Sequence, residues 1–282
     1  MSKRFFGCHV SSSGGLVNSV RAGKALGINT IQIHPSPPQR WNYQAFAQGI
    51  ENDFLSEQPR SGVEKVFFHA IYLINLATIK PEQLQSSVTS LTHYLDLNAR
   101  IQGAGVIVHV GSMKDQPDAN VGNQQAADAI DRILEKSPDN SRLLLEVSAG
   151  SGAIIGAKLE ELADIYRLVN TKERLGFALD TQHMWASGYN WQTDLPTIIS
   201  QLEEQFGFDK IGAIHLNDSK TEFASRKDRH ENLGDGLIGH QALSNVVRHP
   251  KLANIPLILE TPCMKDPETA ALDVAKLRAM VA

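Results

Sequence analysis

RLLLEV at 142–147 and LGFALDT at 175–181 are the stretches that decide how this chain folds. Each is a continuous apolar run without polar alternation, as expected of a parallel strand covered on both faces. Each also closes on a carboxylate, Glu146 in one and Asp180 in the other. Working outward, the same kind of run recurs at RFFGCHV (4–10), NTIQIHP (29–35), KVFFHA (65–70), GVIVHV (105–110), KIGAIHL (210–216) and IPLILET (255–261). Helix-length segments fill the gaps, around 14–26, 43–57, 81–100, 123–136, 157–169, 194–206, 240–247 and 267–280. Pro81 and Pro267 fall where a first helical turn tolerates the missing N–H. Eight strand–helix units in 282 residues predict a single (β/α)8 TIM barrel over 1–282. A doubly wound sheet alternates too, but Gly14–Gly15 falls short of the GxGxxG turn expected there.

Composition narrows the function. A hydrophobic content of 42% excludes wholesale disorder. Against 31 acidic residues stand 27 basic ones, a formal charge of −4, which excludes holding nucleic acid by side-chain charge alone. Two cysteines, Cys8 and Cys263, cannot build a disulfide framework and suit a reducing compartment. No apolar run approaches the roughly 18 residues that span a bilayer, and MSKRFFGCHVSSSGG lacks a signal-peptide core. The expectation is a soluble, cytoplasmic protein with no membrane partner.

What ends the strands carries the chemistry. His9 closes the first run, His69 the third, His109 the fourth, Glu146 the fifth, Asp180 the sixth, His215 the seventh and Glu260 the eighth. In a TIM barrel these ends converge on one face, where the active site lies. A lone histidine at a strand end is more often a hydrogen-bonded rim residue, whereas an unpaired carboxylate in an apolar run is costly. Six such residues at equivalent positions, His9 aside, point to divalent metal, for which imidazole nitrogen and carboxylate oxygen are the usual ligands. His183 follows Asp180 by three positions and could serve a neighbouring ion. Asp228 and His230, spaced i, i+2, would share one side of an extended segment; taken alone, they read as a solvated loop.

HAIYLINLA (69–77), GFALDTQH (176–183) and HLNDSKTEFASRKDRHENLGDGLIGH (215–240) resemble the three signature regions of the endonuclease IV family of abasic-site DNA repair enzymes. GCHVSSSGG (7–15), QRW (39–41), HVGS (109–112), EVSAGSG (146–152) and PLILET (256–261) are similar to its other segments in the same order. The resemblance implies a barrel with three zinc ions, any of which manganese or iron could replace. His69 and His109 would hold the first and Glu146 would bridge it to the second, acting as the catalytic carboxylate. Asp180, His215 and Glu260 would complete the second site, and His183, Asp228 and His230 would hold the third. The implied activity is base excision repair: hydrolysis of the phosphodiester 5′ to an abasic site, leaving a 3′-hydroxyl, with trimming of blocked 3′ ends. The partner is then double-stranded DNA bearing such lesions, met by a monomer. Three divalent ions would outweigh the formal −4 where phosphate binds, helped by Lys220, Arg226, Lys227 and Arg229. Arg40 and Tyr72 match the loop residues that enter DNA at the lesion.

The chain is a somewhat divergent match to the family pattern, but none of the departures is an implied ligand. After the bridging glutamate the family usually has Asn–Thr–Ala–Gly–Gln–Gly, where this chain has Val147, Ser148 and Ser151 at the first, second and fifth places. Gln182 replaces a cysteine, Val110 a proline and Ala224 a glycine, and HPSPPQRW carries three prolines. These are expected to change contacts behind the ligands rather than the ligands themselves. His9 could orient a ligand or water, His34 and His240 read as rim or packing residues, His93 and His249 as surface ones, and Trp185 and Trp191 as packing aromatics. Two other functions remain open. A sugar isomerase or epimerase of the xylose-isomerase kind would need one ion on Glu146, Asp180, His215 and Glu260. A non-catalytic binder of damaged DNA would need no chemistry at all.

Overall fold

The computed structural model describes residues 3–282. Among the described residues ten strands run in chain order: β1 (Phe6–His9), β2 (Thr30–Ile33), β3 (Lys65–His69), β4 (Gly105–Val108), β5 (Leu143–Glu146), β6 (Leu175–Asp180), β7 (Ile211–His215), β8 (Asp218–Ser219), β9 (His230–Glu231) and β10 (Leu257–Leu259). Eight of them close a parallel barrel in the order β1-β10-β7-β6-β5-β4-β3-β2, and β8 and β9 form a separate antiparallel ribbon. Outside lie α1 (Leu16–Leu26), α2 (Asn52–Glu57), α3 (Pro81–Arg100), α4 (Ala119–Glu135), α5 (Leu159–Leu168), α6 (Thr181–Ser187), α7 (Leu195–Gln205), α8 (His240–Arg248) and α9 (Pro267–Val281). The fold is the expected TIM barrel. Among the described residues no helix is long and apolar enough to cross a membrane.

Strand period two explains why the polar strand ends share a basin. Phe67, Ile107, Leu144, Ala178, Ala213 and Ile258 form a buried cluster of their own inside the barrel. Each precedes by two residues one of His69, His109, Glu146, Asp180, His215 and Glu260. Residues two apart on a strand face the same way, so every polar residue stands above an apolar one on the inner face. The inner layer also needs room: a Cβ on Gly212 would sit 2.7 Å from Leu144 Cδ1, so only glycine lets Leu144 fill the barrel there. The larger core lies between barrel and helices. In α3 Val88, Leu91 and Leu95 turn inward after Pro81 starts the helix.

Four local features differ from the sequence expectations, the first being α6 (Thr181–Ser187), a short helix the sequence had not suggested. The helix predicted over 43–57 is confined to α2, because Tyr43–Ala45 and Ala47–Gln48 are exposed and supply no apolar face to bury. α4 starts four residues early, at Ala119, where the Asp118 carboxylate accepts from Val121 N at 3.0 Å. The segment after β7 is not a plain loop: it folds into the β8–β9 ribbon, pairing Ser219 with His230.

Candidate metal centre

Strand register brings the donors together. Asp180 on β6 pairs with His215 on β7, which pairs with Ile258 on β10, two residues before Glu260. His69 on β3 pairs with Ile107 on β4, two residues before His109. Glu146, fully buried at the end of β5, lies at the centre. Its Oε2 is 3.0 Å from His69 Nε2 and 3.3 Å from His109 Nε2, and its Oε1 is 2.7 Å from His215 Nδ1. His183 follows β6 in the first turn of α6, whose N-cap is Asp180: Asp180 Oδ1 accepts from His183 N at 2.8 Å. The ribbon returns His230 to the basin, where its Nε2 stands 3.4 Å from Asp228 Oδ1 and 3.6 Å from Asp180 Oδ2. Asp228 Oδ2 is 3.4 Å from His183 Nε2.

Three donor groups result: His69–His109–Glu146, Glu146–Asp180–His215–Glu260 and Asp180–His183–His230, with donor atoms inside each group within 4.8 Å of one another. Glu146 belongs to two groups. Asp180 also belongs to two, standing beside the third as well as the second, which the sequence had not suggested. Asp228 closes on both histidines of the third group from the exposed side.

Hydrogen bonds aim the imidazoles. Nδ1 of His69 lies 2.8 Å from the Ala70 carbonyl, Nδ1 of His183 3.1 Å from that of Val147, and Nδ1 of His230 3.2 Å from that of Glu260. A carbonyl only accepts, so each Nδ1 carries a proton and Nε2 is the nitrogen turned to the basin. His215 is the reverse case. Its Nε2 faces Gln32 Oε1 at 2.7 Å, because the Gln32 amide NH2 is committed to Glu260 Oε1 and to His9 Nδ1. Nδ1 of His215 is therefore the nitrogen left for the basin. His109 is the exception, with its Nδ1 buried and unpartnered.

The electrostatics call for cations. Burial opposes charge on Glu146, but His109 and His215 hold its carboxyl well below the usual range. Glu260 is likewise pulled down to about 2 against its burial, chiefly by His215 and His69. Burial lowers the His215 imidazole, but Glu260 and Glu146 override this and push it up to about 9. His183 and His69 are raised against burial too, by Asp180 and Asp228 in one case and by Glu146 in the other. Burial, helped by neighbouring imidazoles, pushes His9 down to about 3 and His34 to about 4, leaving both neutral beside the basin. The donor set fits a divalent ion on a further ground: His230 Nε2 is buried without a hydrogen-bond partner while two carboxylates face it. An imidazole nitrogen and two carboxylates so placed are a ligand set for a divalent ion.

Two cavities flank the donors, one of 420 Å³ and one of 940 Å³, and His69, Tyr72, His109, His183 and Asp228 border both. Tyr72, 69% exposed, stands at their junction with its ring 5.9 Å from that of His34. Lys220 and Arg229 line the larger cavity. Arg40 and Arg226 are exposed on loops but border neither. His240 is exposed, whereas His93 is half-buried and its Nδ1 meets the Asn42 carbonyl at 3.0 Å, tying the loop after β2 to α3 rather than standing free at the surface. His249 is also partly buried. Trp185 and Trp191 are packed inside, as expected.

Sequence reasoning missed the residues behind the donors. Asn217 donates to Asp180 Oδ2 at 2.7 Å and accepts from Glu260 N at 2.9 Å. Asp218 accepts from the backbone N–H groups of Ser219, Gly234, Gly236, Ile238 and Gly239, fixing the stretch after β9. Gln32 did leave a signal, as a polar residue inside the apolar run NTIQIHP.

Barrel and site together define a xylose isomerase-like TIM barrel, and the model of that family matches residues 20–280. A "Probable endonuclease 4" of Chloroflexus aurantiacus is 33% identical over 279 residues, covering 98% of each chain. The crystal structure of endonuclease IV from Thermus thermophilus superposes with a TM-score of 0.87 at 31% identity, covering 99% of both chains. A D-tagatose 3-epimerase-like protein, at TM-score 0.76 and 16% identity over 98% of this chain and 97% of its own, shares the fold alone. The chain belongs to the endonuclease IV family.

Proposed function

We propose that the chain is a zinc-dependent apurinic/apyrimidinic endonuclease that hydrolyses the phosphodiester 5′ to an abasic site in duplex DNA and leaves a 3′-hydroxyl, with 3′-end trimming by the same centre. One observation carries the reading: Glu146, Asp180, His215 and Glu260 already make a complete one-ion group, yet His69, His109, His183, Asp228 and His230 crowd the same basin. Those five have no use in a one-ion isomerase. Arranged around Glu146 and Asp180, they supply donors for three ions.

Bound divalent ions supply Lewis acidity, lowering the pKa of water towards about 7 and drawing charge from phosphate oxygens. The chain's own groups do the rest. Glu146 places negative charge between the first and second donor groups. The backbone carbonyls behind His69, His183 and His230, and the Gln32 amide behind His215, hold the imidazoles at fixed tautomers. Lys220 and Arg229 border the larger cavity and would pair with phosphates of the duplex; Arg226 and Arg40 would meet the backbone from the loops. Tyr72, at the junction of the cavities, would stack at the lesion while the abasic sugar is exposed to the donors, in the manner of base-flipping enzymes.

Metal analysis paired with a cleavage assay tests this. Three ions per chain and a single nick 5′ to an abasic analogue are expected. One ion with turnover of a ketose would establish the isomerase instead, and three ions with binding but no nick would leave a damage-binding protein.

A further inference from the structure

Asp228 sits on the loop between β8 and β9 with its side chain 58% exposed, so packing does not fix it. Its place beside His183 and His230 must come from the backbone on either side: after it the chain is held by the β8–β9 pairing, with Lys220 N donating to Arg229 O at 2.9 Å, and before it by contacts outside the ribbon. Two side chains from elsewhere in the fold hold that backbone. Gln182, on α6, directs its amide nitrogen to the Lys227 carbonyl at 2.9 Å. Ser151, on the loop after β5, donates to the Arg226 carbonyl at 2.7 Å. The direction of the first bond is settled by chemistry, since a carbonyl offers no proton and the amide must present its NH2.

Both residues are departures from the family pattern, which has glutamine at the position of Ser151 and cysteine at that of Gln182. Gln182 is fully buried, and among the described residues its Oε1 has no partner. An apolar side chain would fill that space without leaving a buried acceptor unpaired. Its NH2 group is what the position uses, for Lys227 O and, at 3.3 Å, for Ser219 Oγ. Arg226 adds a reason for anchoring: it is held at φ 55°, and a left-handed turn in a non-glycine residue persists only where neighbours enforce it. Arg226 N also donates to the Ala186 carbonyl on α6 at 2.9 Å, so the peptide groups on both sides of that residue are tied down.

We infer that Gln182 and Ser151 are positioning residues that clamp consecutive carbonyls and thereby set Asp228 as a ligand of the third ion. The inference rests on the proposed three-ion centre and assigns to it the two replaced residues.

The test uses the full chain, stripped of metal and titrated with zinc against a chromophoric chelator. Gln182→Met keeps the volume and removes the donor. It should retain the first two ions and bind the third about 10- to 100-fold more weakly, the usual effect of losing a partner behind a ligand. Ser151→Ala should weaken the third ion alone, and Ser151→Thr, which keeps the hydroxyl, should restore it. Third-ion affinity within twofold of the parent in Gln182→Met overturns the clamp. Should Gln182→Met not fold, the exposed Ser151 pair decides: equal third-ion affinity in Ser151→Ala and Ser151→Thr overturns it as well. A parent chain that takes up one ion, or three without nicking abasic DNA, refutes the proposed function instead.

Discussion

Replacing Gln32 by leucine isolates one buried amide behind two donors of the second group. Gln32 is fully buried on β2, with Oε1 2.7 Å from His215 Nε2 and its NH2 bonded to Glu260 Oε1 and, at 3.2 Å, to His9 Nδ1. Leucine is close in volume, so little of the loss would come from a cavity. What disappears is the acceptor that keeps the His215 proton on Nε2 and the donor that holds Glu260 in place. A hydrogen bond to an ionised group contributes about 1.5–3 kcal/mol. With tenfold per 1.4 kcal/mol, loss of one such bond predicts about 10- to 100-fold weaker metal at the second group, in line with known outer-ligand effects.

Competition with a chelator of known affinity measures this directly, and cleavage of an abasic duplex at saturating zinc separates metal loss from damage to chemistry. Gln32→Glu sharpens the test. It keeps an acceptor opposite His215 but sets a second carboxylate against Glu260, and like charges at that range raise a carboxyl pKa. A raised pKa means the proton competes with the ion more strongly in acid. The deficit of Gln32→Glu should therefore deepen from about pH 8 to about pH 6, while that of Gln32→Leu stays comparatively flat. Zinc affinity within twofold of the parent in Gln32→Leu refutes the role given to the amide.

Three other outcomes are expected. Glu146→Gln removes the shared charge between the first two groups, so zinc stoichiometry should fall and nicking should drop below detection; retained activity would refute the bridging role. Asp131, buried on α4, accepts from the backbone N–H of Asn170 and of Thr171, at 3.0 and 2.9 Å, and these bonds depress its carboxyl pKa against its burial. Its contribution is thus complete above the unfolded value of about 4 and lost as pH falls through the lower folded one, so Asp131→Asn should cost about 1–3 kcal/mol near neutral pH and progressively less in acid. A gap between the urea curves that does not narrow in acid would contradict this. A Cβ at Gly236 would lie 2.6 Å from both Asp218 Oδ1 and Ser219 O, so Gly236→Ala should destabilise the chain by about 1–3 kcal/mol in urea unfolding; an unchanged midpoint would show that the backbone yields there.

How far the sequence could be read follows from the same geometry. The barrel was legible because continuous apolar runs at regular intervals admit few arrangements. The strand-end donors were legible because period two carries each of them over an inward apolar neighbour: Leu144 beneath Glu146 and Ala178 beneath Asp180 leave no other face to take. Legibility ends where a side chain's partner is chosen by closure of the barrel rather than by spacing. Gln32 and His215 are 183 residues apart, and they meet across the barrel mouth between strands that are not sequential. Asp218 was hidden for a related reason: it reads as a loop carboxylate until the β8–β9 ribbon forms and turns five backbone N–H groups towards it. The first part of the helix expected over 43–57 failed in the opposite sense: only α2, which buries Phe54 in the core, forms, and the exposed residues before it have no apolar face to pack. Candidate ligands, then, are announced by strand ends, whereas the groups that aim them are polar residues within apolar runs, and Gln32 in NTIQIHP shows that such an interruption is worth reading as support for a candidate site even when its partner lies at the other end of the chain.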